Sequence, residues 1–180
     1  MKYYKEIDID DFEIIVAKTL IYIKKYTSLT KVPVRYNWHQ LTFDDFVLHI
    51  PELKTAFLKF GLTPNFVALY IVYNNKTTAI HKDAYSNLAR INLPILNSEG
   101  TYTNFYKNVV FQKYVHPVTG IPSYNVINDD YELVDRVEIK KATLFRVLEA
   151  HKVDVPDGNP LPRITLTIGF DKDPVFLLED

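Results

Sequence analysis

Residues 163–170, Arg-Ile-Thr-Leu-Thr-Ile-Gly-Phe, decide the fold of this chain because polar and apolar side chains alternate through the stretch. Successive side chains of a β-strand point to opposite faces, so the apolar residues at 164, 166, 168 and 170 share one face. An arginine and two threonines share the other face. The stretch therefore predicts a strand that packs one face on a core and presents hydrogen-bonding groups on the other.

Residues 88–96, Leu-Ala-Arg-Ile-Asn-Leu-Pro-Ile-Leu, repeat this pattern. The side chains at 89, 91, 93 and 95 are apolar, whereas Arg90 and Asn92 share the opposite face. Shorter runs with β character surround the two strands and predict the rest of a sheet structure. These runs are 66–73, 101–107, 109–114, 137–139, 142–145 and 147–155, with 109–114 expected to pair with 101–107.

The first 64 residues have helical patterns instead. Residues 10–26 carry apolar side chains at helical spacing, and Thr42 with Asp45 forms a capping-box pattern that opens a second helix. Pro51 begins a further helical segment, and Gly61 follows at the usual C-terminal position. We therefore predict one domain over 1–180, with helical support in 1–64 and a β core in 65–170.

Turns and loops complete the prediction. Residues 74–76 and 156–160 have turn composition, and 116–135, with two prolines, two asparagines and several acids, predicts a long loop over one face. The acidic tail after Asp171 is expected to be peripheral. The fold class is mainly β with N-terminal helices, a sandwich or jelly-roll, cupin-like barrel buttressed by helices.

Composition limits the function. The 180 residues contain no cysteine, which excludes disulfides, thiolate metal sites and cysteine nucleophiles. A net charge of −1, with both signs interspersed, argues against a dedicated nucleic-acid binder. No apolar run reaches the length of a membrane span, and the polar, charged N-terminus does not look like a signal peptide. We therefore expect a cytoplasmic protein without a membrane partner.

The chemistry concentrates in the stretch Ile80-His81-Lys82-Asp83, which a strand is expected to enter. With five histidines and 22 acids in 180 residues, one His-x-acid pair is common by chance, so the pair alone is weak evidence. His81, Asp83 and His151 together offer the donor set of a facial triad, which leaves three positions of an octahedral iron(II) open.

The order of these elements resembles the double-stranded β-helix superfamily of iron(II)/2-oxoglutarate-dependent dioxygenases. Its pattern is His-x-Asp, a distal histidine, and then Arg-x-Ser/Thr on the last core strand, which matches Arg163 and Thr165 here. The position of Arg90, nine residues after His81, most resembles that of an arginine in the aspartyl/asparaginyl β-hydroxylase-like branch. The resemblance covers about residues 65–170. This sequence departs from that branch at Asn92, where a histidine is common, and in its longer spacing between the distal histidine and Arg163.

The resemblance implies a role for each residue. His81, Asp83 and His151 are expected to bind Fe(2+), and Arg163 is expected to hold the far carboxylate of 2-oxoglutarate through its planar fork. The remaining candidates for cosubstrate or substrate contacts are Thr165, Arg90, Asn92 and Tyr70. The implied reaction is an oxidoreductase one, in which dioxygen and 2-oxoglutarate are consumed and a C–H bond is hydroxylated.

The substrate class stays open between an amino-acid or peptide side chain and a small metabolite, and the oligomeric state is not predicted. An alternative is a catalytically inactive, cupin-like module that binds a ligand or a protein. A typical cupin carries His-x-His followed by a glutamate, and this sequence has no His-x-His. Purely structural roles are the alternatives for three of these residues. Arg163 could be a surface residue, Arg90 an ion-pair partner and Tyr70 a core aromatic.

Overall fold

A computed structural model describes residues 1–26, 38–73, 78–83, 87–115 and 122–179, with side chains from 124 onward in the last range. Eleven strands and two α-helices are described, with three short 3-10 helices. The strands are β1 Tyr4–Glu6, β2 Trp38–Leu41, β3 Pro64–Val72, β4 Ala89–Leu96, β5 Tyr102–Lys107, β6 Phe111–Val115, β7 Pro122–Val126, β8 Glu132–Val137, β9 Thr143–Arg146, β10 His151–Asp154 and β11 Arg163–Phe170. The helices are α1 Phe12–Tyr26 and α2 Phe43–His49, and the 3-10 helices are Pro51–Lys54, Leu58–Phe60 and Pro174–Leu178.

The strand β11 lies inside a six-stranded antiparallel sheet of order β1-β9-β4-β11-β3-β2. Its neighbours β4 and β3 are the longest other strands, so β11 has hydrogen-bonded partners on both sides. In the register, Thr165 lies between Tyr70 and Pro94, and Thr167 lies between Ala68 and Asn92. Paired residues share a face, so the polar side chains of β11 and Asn92 of β4 point to the same side.

The opposite face of this sheet carries the main hydrophobic core. Leu166 and Ile168 of β11 and Ile91 of β4 are fully buried there, and α1, α2 and the first two 3-10 helices cover them. The alternation predicted for 163–170 and 88–96 is therefore confirmed, and the apolar side is the helix side.

A second sheet of order β10-β5-β8 lies against the polar face of the first. The two sheets share a small apolar cluster in which the Phe105 ring of β5 stacks on the Phe145 ring of β9, with centroids 5.9 Å apart. Tyr70 of β3 packs with Val153 of β10 in another such cluster. The strands β6 and β7 form a separate two-stranded hairpin.

The predicted helices are present, with local differences. Thr42 is the N-cap residue of α2 as predicted, but its side chain makes no capping hydrogen bond. The capping box fails because Asp45 instead accepts a hydrogen bond of 2.5 Å from the Tyr22 hydroxyl of α1. The segment from Pro51 is 3-10 rather than α-helical, and Gly61 ends it in the left-handed region, with φ 65°. The support region also supplies β1 and β2 to the large sheet, which was not predicted.

Three further predictions were wrong. Residues 122–126 and 132–135, predicted as loop, belong to β7 and β8, because β6 and β5 supply backbone hydrogen bonds despite Pro122 and the acids. The strand β6 pairs with β7 and not with β5. The tail is not peripheral, since Leu177 and Leu178 of its 3-10 helix are buried in the main core. The turn predicted at 74–76 lies outside the described residues.

The described part of the chain is thus mainly β, built from antiparallel sheets, with helices on one face and no closed barrel. None of its helices is both long enough and apolar enough to cross a membrane.

Candidate metal centre

The polar faces of the two sheets enclose a cavity of about 80 Å³. This volume is room for several water molecules or a small ligand. The polar residues that line the cavity come from both sheets and from the segment before β4. They are Tyr70, His81, Asp83, Asn92, Thr103, His151, Arg163, Thr165 and Thr167.

The structure brings His81, Asp83 and His151 together, as predicted. One ligand atom from each lies within 4.8 Å of the others. The Asp83 Oδ1 atom is 3.9 Å from His81 Nε2 and 4.0 Å from His151 Nε2. Metal–ligand bonds of about 2.0–2.2 Å place two ligand atoms of one ion roughly 3–4 Å apart, so this arrangement suits a single ion.

The backbone sets the two imidazoles side by side. His81 and His151 form an antiparallel bridge in which each N–H donates to the other carbonyl, at 2.9 and 2.8 Å. The Asp83 N–H donates to Val147 O at 2.8 Å. A strand entering His81 was expected, but in the described residues 78–83 this bridge stands alone, and no continuous strand forms.

The two imidazole rings are oriented in the same way. His81 Nδ1 lies 2.9 Å from Ala79 O, and His151 Nδ1 lies 2.8 Å from Glu149 O. A carbonyl oxygen only accepts, so each ring donates from Nδ1 and points Nε2 away from that carbonyl, where the nitrogen can bind a metal ion. Outer hydrogen bonds of this kind fix the tautomer of metal-binding histidines.

The burial of His151, at the start of β10, favours the neutral imidazole that binds a metal ion. Burial, with a smaller effect of His81, lowers the pKa of His151 from 6.5 to about 3, so its ring is neutral at physiological pH. Burial raises the pKa of Asp83, while the charges of His81 and Arg90 act to lower it. A bound divalent ion would stabilise the ionised carboxylate, because opposite charges attract strongly where water is scarce.

The site is open on one side. The His81 side chain is 32% exposed, compared with 12% for His151. The residues present can therefore hold a metal ion with three protein ligands, on a side of the cavity where the His81 side chain is partly exposed.

Arg163 lies in the same cavity and is 1% exposed. Its Nε donates to Thr101 Oγ1 at 2.9 Å, and its Nη1 finds no hydrogen-bond partner among the described residues. Burial lowers the pKa of this guanidinium to about 10, so it is still charged at neutral pH. A buried cation without a matching anion is costly, and the cavity is where an anion would fit.

Three of the other predicted residues also line the cavity. Thr165 is 3% exposed, and Tyr70 lies opposite it in the register of β11 with β3. The Oδ1 atom of Asn92 is buried without a hydrogen-bond partner in the described part of the chain. All three therefore stand where a bound ligand would contact them.

Arg90 is placed differently from the expectation, because it does not line the cavity. It is 6% exposed, and its guanidinium carbon lies 4.7 Å from the centre of the Phe66 ring. Its Nη1 lies against Gly169, where a Cβ atom would come within 2.8 Å. The charge of Arg90 nevertheless acts on Asp83 from this position.

Sequence reasoning missed several residues of the site. Thr101, which receives the Arg163 hydrogen bond, is 62 positions away in the chain, and no local pattern connects the two. Thr103 belongs to β5, whose inward face could be identified only after its pairing with β10 was known. Trp38 also lines the cavity, next to Tyr70 in the sheet.

No protein-family model matches the sequence, and no curated protein matches it. Among solved structures, the chain is similar to one titled "X-Ray structure of E. coli ycfD", with 12% sequence identity and a TM-score of 0.36. The similarity covers 61% of this chain and 26% of that chain. At these values the likeness assigns neither a family nor an activity.

Proposed function

We propose that this protein is a non-haem iron(II), 2-oxoglutarate-dependent oxygenase that hydroxylates an amino-acid or peptide side chain or a small metabolite. One observation carries the proposal: a possible three-ligand metal site and a buried, incompletely paired arginine line the same small cavity. Each feature alone has ordinary structural explanations. Together they match a ligand that binds a metal at one end and carries a carboxylate at the other.

The metal end of the cavity supplies two imidazole nitrogens and one carboxylate. Nε2 of His81 and His151 and the Asp83 carboxylate would hold iron(II), and this set leaves cis positions for a chelating ligand and dioxygen. The hydrogen bonds from the two Nδ1 atoms to Ala79 and Glu149 keep the rings turned toward the ion. Iron bound there would supply the activation of dioxygen and 2-oxoglutarate that C–H hydroxylation requires.

The other end would bind the far carboxylate of 2-oxoglutarate. Arg163 offers a planar pair of donors, and Thr101 already fixes the position of its Nε. The Thr165 hydroxyl and the Tyr70 side chain line the same space and would add hydrogen bonds. A carboxylate there would neutralise the buried guanidinium, which raises affinity because the free protein has no such partner among the described residues.

Part of the cavity wall is apolar and would limit contact with bulk water. Apolar side chains alternate with the polar ones, including Ile139, Phe145, Val147 and Val153. A water-poor cavity strengthens the contacts to both charged ends and limits side reactions. The more exposed side of His81 gives the substrate an approach to the ion.

We also propose that the two facing sheets are a small double-stranded β-helix. The order of elements supports this assignment, with His81 before β4, His151 at the start of β10, and Arg163 at the start of the last strand. The helices cover the outer face of the larger sheet, as expected for a buttressed jelly roll.

Anaerobic titration with iron(II) and 2-oxoglutarate tests the proposal. Chelation of iron(II) by a 2-oxo acid gives a weak visible charge-transfer band, which we expect for the wild-type protein. His81→Ala should abolish the band by removing a ligand. Arg163→Met should weaken 2-oxoglutarate binding by tenfold or more, because a charge-assisted, two-pronged contact is lost.

Arg163→Lys is the matched control for charge, since it keeps the cation and removes the planar fork, and it should give intermediate affinity. A wild-type protein that binds the metal but shows no band with 2-oxoglutarate would contradict the oxygenase proposal. That result would favour the alternative, a cupin-like module that binds a ligand or protein without catalysis.

A further inference from the structure

We propose that the β6–β7 hairpin positions the His81–Asp83 segment for metal binding, through Lys82 held against two aromatic rings of the hairpin. Lys82 would be a positioning residue, since its side chain contacts the hairpin and not the ion. The inference rests on the metal centre of the proposed function, and it assigns a role to a hairpin that lies outside both sheets of the fold.

The segment alternates between two sides. His81 and Asp83 line the cavity, whereas the side chains of Ile80 and Lys82 contact residues on the other side of the segment. Ile80 is 8% exposed and packs in a cluster with Tyr106 and Ala150, onto which the hairpin residues Phe111 and Val126 also pack. The residues that alternate with the ligands are therefore fixed by the hairpin from outside.

Lys82 makes the most specific of these contacts. Its Nζ lies 4.5 Å from the centre of the Tyr124 ring and 5.4 Å from that of Phe111. The two rings meet edge to face, with centroids 5.9 Å apart, so they form one aromatic corner. A lysine over two rings gains from the electrostatic attraction between cation and ring in addition to its apolar packing.

Hydrogen bonds attach the segment at Thr78, His81 and Asp83, so Lys82 lies between two attached residues. Within the described residues 78–83, His81 pairs in an isolated bridge, the Asp83 N–H donates to Val147 O, and Thr78 bonds to Val153 through its N–H and its hydroxyl. The backbone of Lys82 takes part in none of these bonds. The contacts of the Lys82 side chain with the hairpin are therefore what fixes the segment between His81 and Asp83, and we expect the Asp83 carboxylate to be less well positioned without them.

Two physical effects of Lys82 on metal affinity have opposite signs, which makes the inference testable. By Coulomb repulsion alone, removing a positive charge close to a divalent cation should strengthen metal binding. If the lysine instead positions the ligands, removing its charge should weaken binding. The direction of the change therefore separates the two effects.

The experiment measures manganese(II) binding by isothermal titration calorimetry, with the metal-free melting temperature measured in parallel. Lys82→Met keeps the length of the side chain and removes the cation. We expect about tenfold weaker manganese(II) binding, in the range seen for residues that orient metal ligands. Lys82→Arg should restore affinity to within about threefold of the wild type, since arginine also stacks on aromatic rings. Tyr124→Leu removes a ring without a change in charge and should weaken binding in the same way.

Lys54→Met is the matched control, because Lys54 is an exposed lysine on a 3-10 helix outside the hairpin, and the affinity of this variant should equal that of the wild type. Unchanged or tighter binding by Lys82→Met would overturn the inference, even if the melting temperature falls. Failure of the wild-type protein to bind manganese(II) would overturn the metal centre and this inference together. A wild-type protein that binds, with Lys82→Met binding equally well, would overturn only the role of the hairpin.

Discussion

The two faces of β11 differ in what fills the space beside them. On the helix side, Ile164, Leu166 and Ile168 are 4%, 0% and 0% exposed and pack in the main core. On the other side, Arg163 and Thr165 are equally inaccessible but border a cavity. Burial is the same on both faces, whereas the packing is not.

This difference separates stability from function within one strand. Close packing on the helix side supplies the hydrophobic free energy that holds the sheet in place. Buried polar groups that lack hydrogen-bond partners on the cavity side oppose folding, and they favour the binding of a ligand that supplies those partners. Substitutions on the helix face should therefore mainly lower stability, whereas those on the cavity face should cost little stability and mainly change ligand binding. The predictions follow from the largest expected effect to the smallest.

Leu166→Ala should give the largest loss of stability, about 3 kcal/mol, because it leaves a void in a fully packed core. Thr165→Ala, one position away on the cavity face, should cost less than about 1 kcal/mol, since a space already exists beside it. Urea unfolding of both variants measures the difference. Equal losses would mean that the two faces are packed alike.

Acid should destabilise the metal-free protein through His151. Because the folded state keeps this ring neutral down to about pH 3, the unfolded state binds the extra proton below its ordinary pKa of 6.5. The contribution of His151 to stability is complete above pH 6.5 and is lost as the pH falls toward 3, by at most about 1.4 kcal/mol per pH unit.

Asp83 acts in the opposite sense, because burial raises its pKa and protonation in acid then favours the folded state. The comparison is therefore made in an Asp83→Asn background, with and without His151→Asn. Urea unfolding between pH 7 and pH 5, roughly the window below the ordinary histidine pKa, should show a flatter dependence when His151 is absent. Identical slopes would contradict the neutral, buried imidazole.

Arg163→Met should stabilise the ligand-free protein by about 1 kcal/mol, since it replaces a buried cation with an apolar side chain of similar length. Thr101 keeps a partner in this variant, because its hydroxyl also donates to Ser98 O at 2.7 Å. Thermal unfolding without ligand provides the measurement. A loss of several kcal/mol in stability would show that other groups of the protein already compensate the charge of the guanidinium.

Thr165→Val should have the smallest effect on folding, within about 0.5 kcal/mol, because the shape of the side chain is kept. Its effect should appear in binding instead, as a fewfold loss of 2-oxoglutarate affinity from one missing hydroxyl contact. Calorimetric titration compares it with the wild type. Unchanged affinity would remove Thr165 from the candidate ligand contacts.

The contrast between the two faces of β11 was predictable because its cause is local. Alternation along 163–170 determines which side chains share a face, and the structure begins and ends the strand at these residues. The resemblance to the oxygenase pattern, and not a local cause, predicted that His81, Asp83 and His151 meet, and the structure brings them together. What could not be predicted was the partner of Arg163, since Thr101 reaches it only through the packing of two sheets.

The errors also have physical causes. Prolines, asparagines and acids in 116–135 are typical of loops, yet β7 and β8 form there because their partners β6 and β5 supply hydrogen bonds. The acids of the C-terminal tail concealed the short apolar run that ends at Leu178, which packs on the core. Arg90 shares its face of β4 with Asn92, but the ring of Phe66 holds it away from the cavity.

A crystal structure grown without oxygen, with manganese(II) and 2-oxoglutarate, tests the central claim most directly. We predict one ion bound by Nε2 of His81, Nε2 of His151 and the carboxylate of Asp83, with the far carboxylate of the ligand on Arg163. An ion bound elsewhere, or a ligand whose carboxylate lies away from Arg163, would contradict the claim that this cavity is an oxygenase active site.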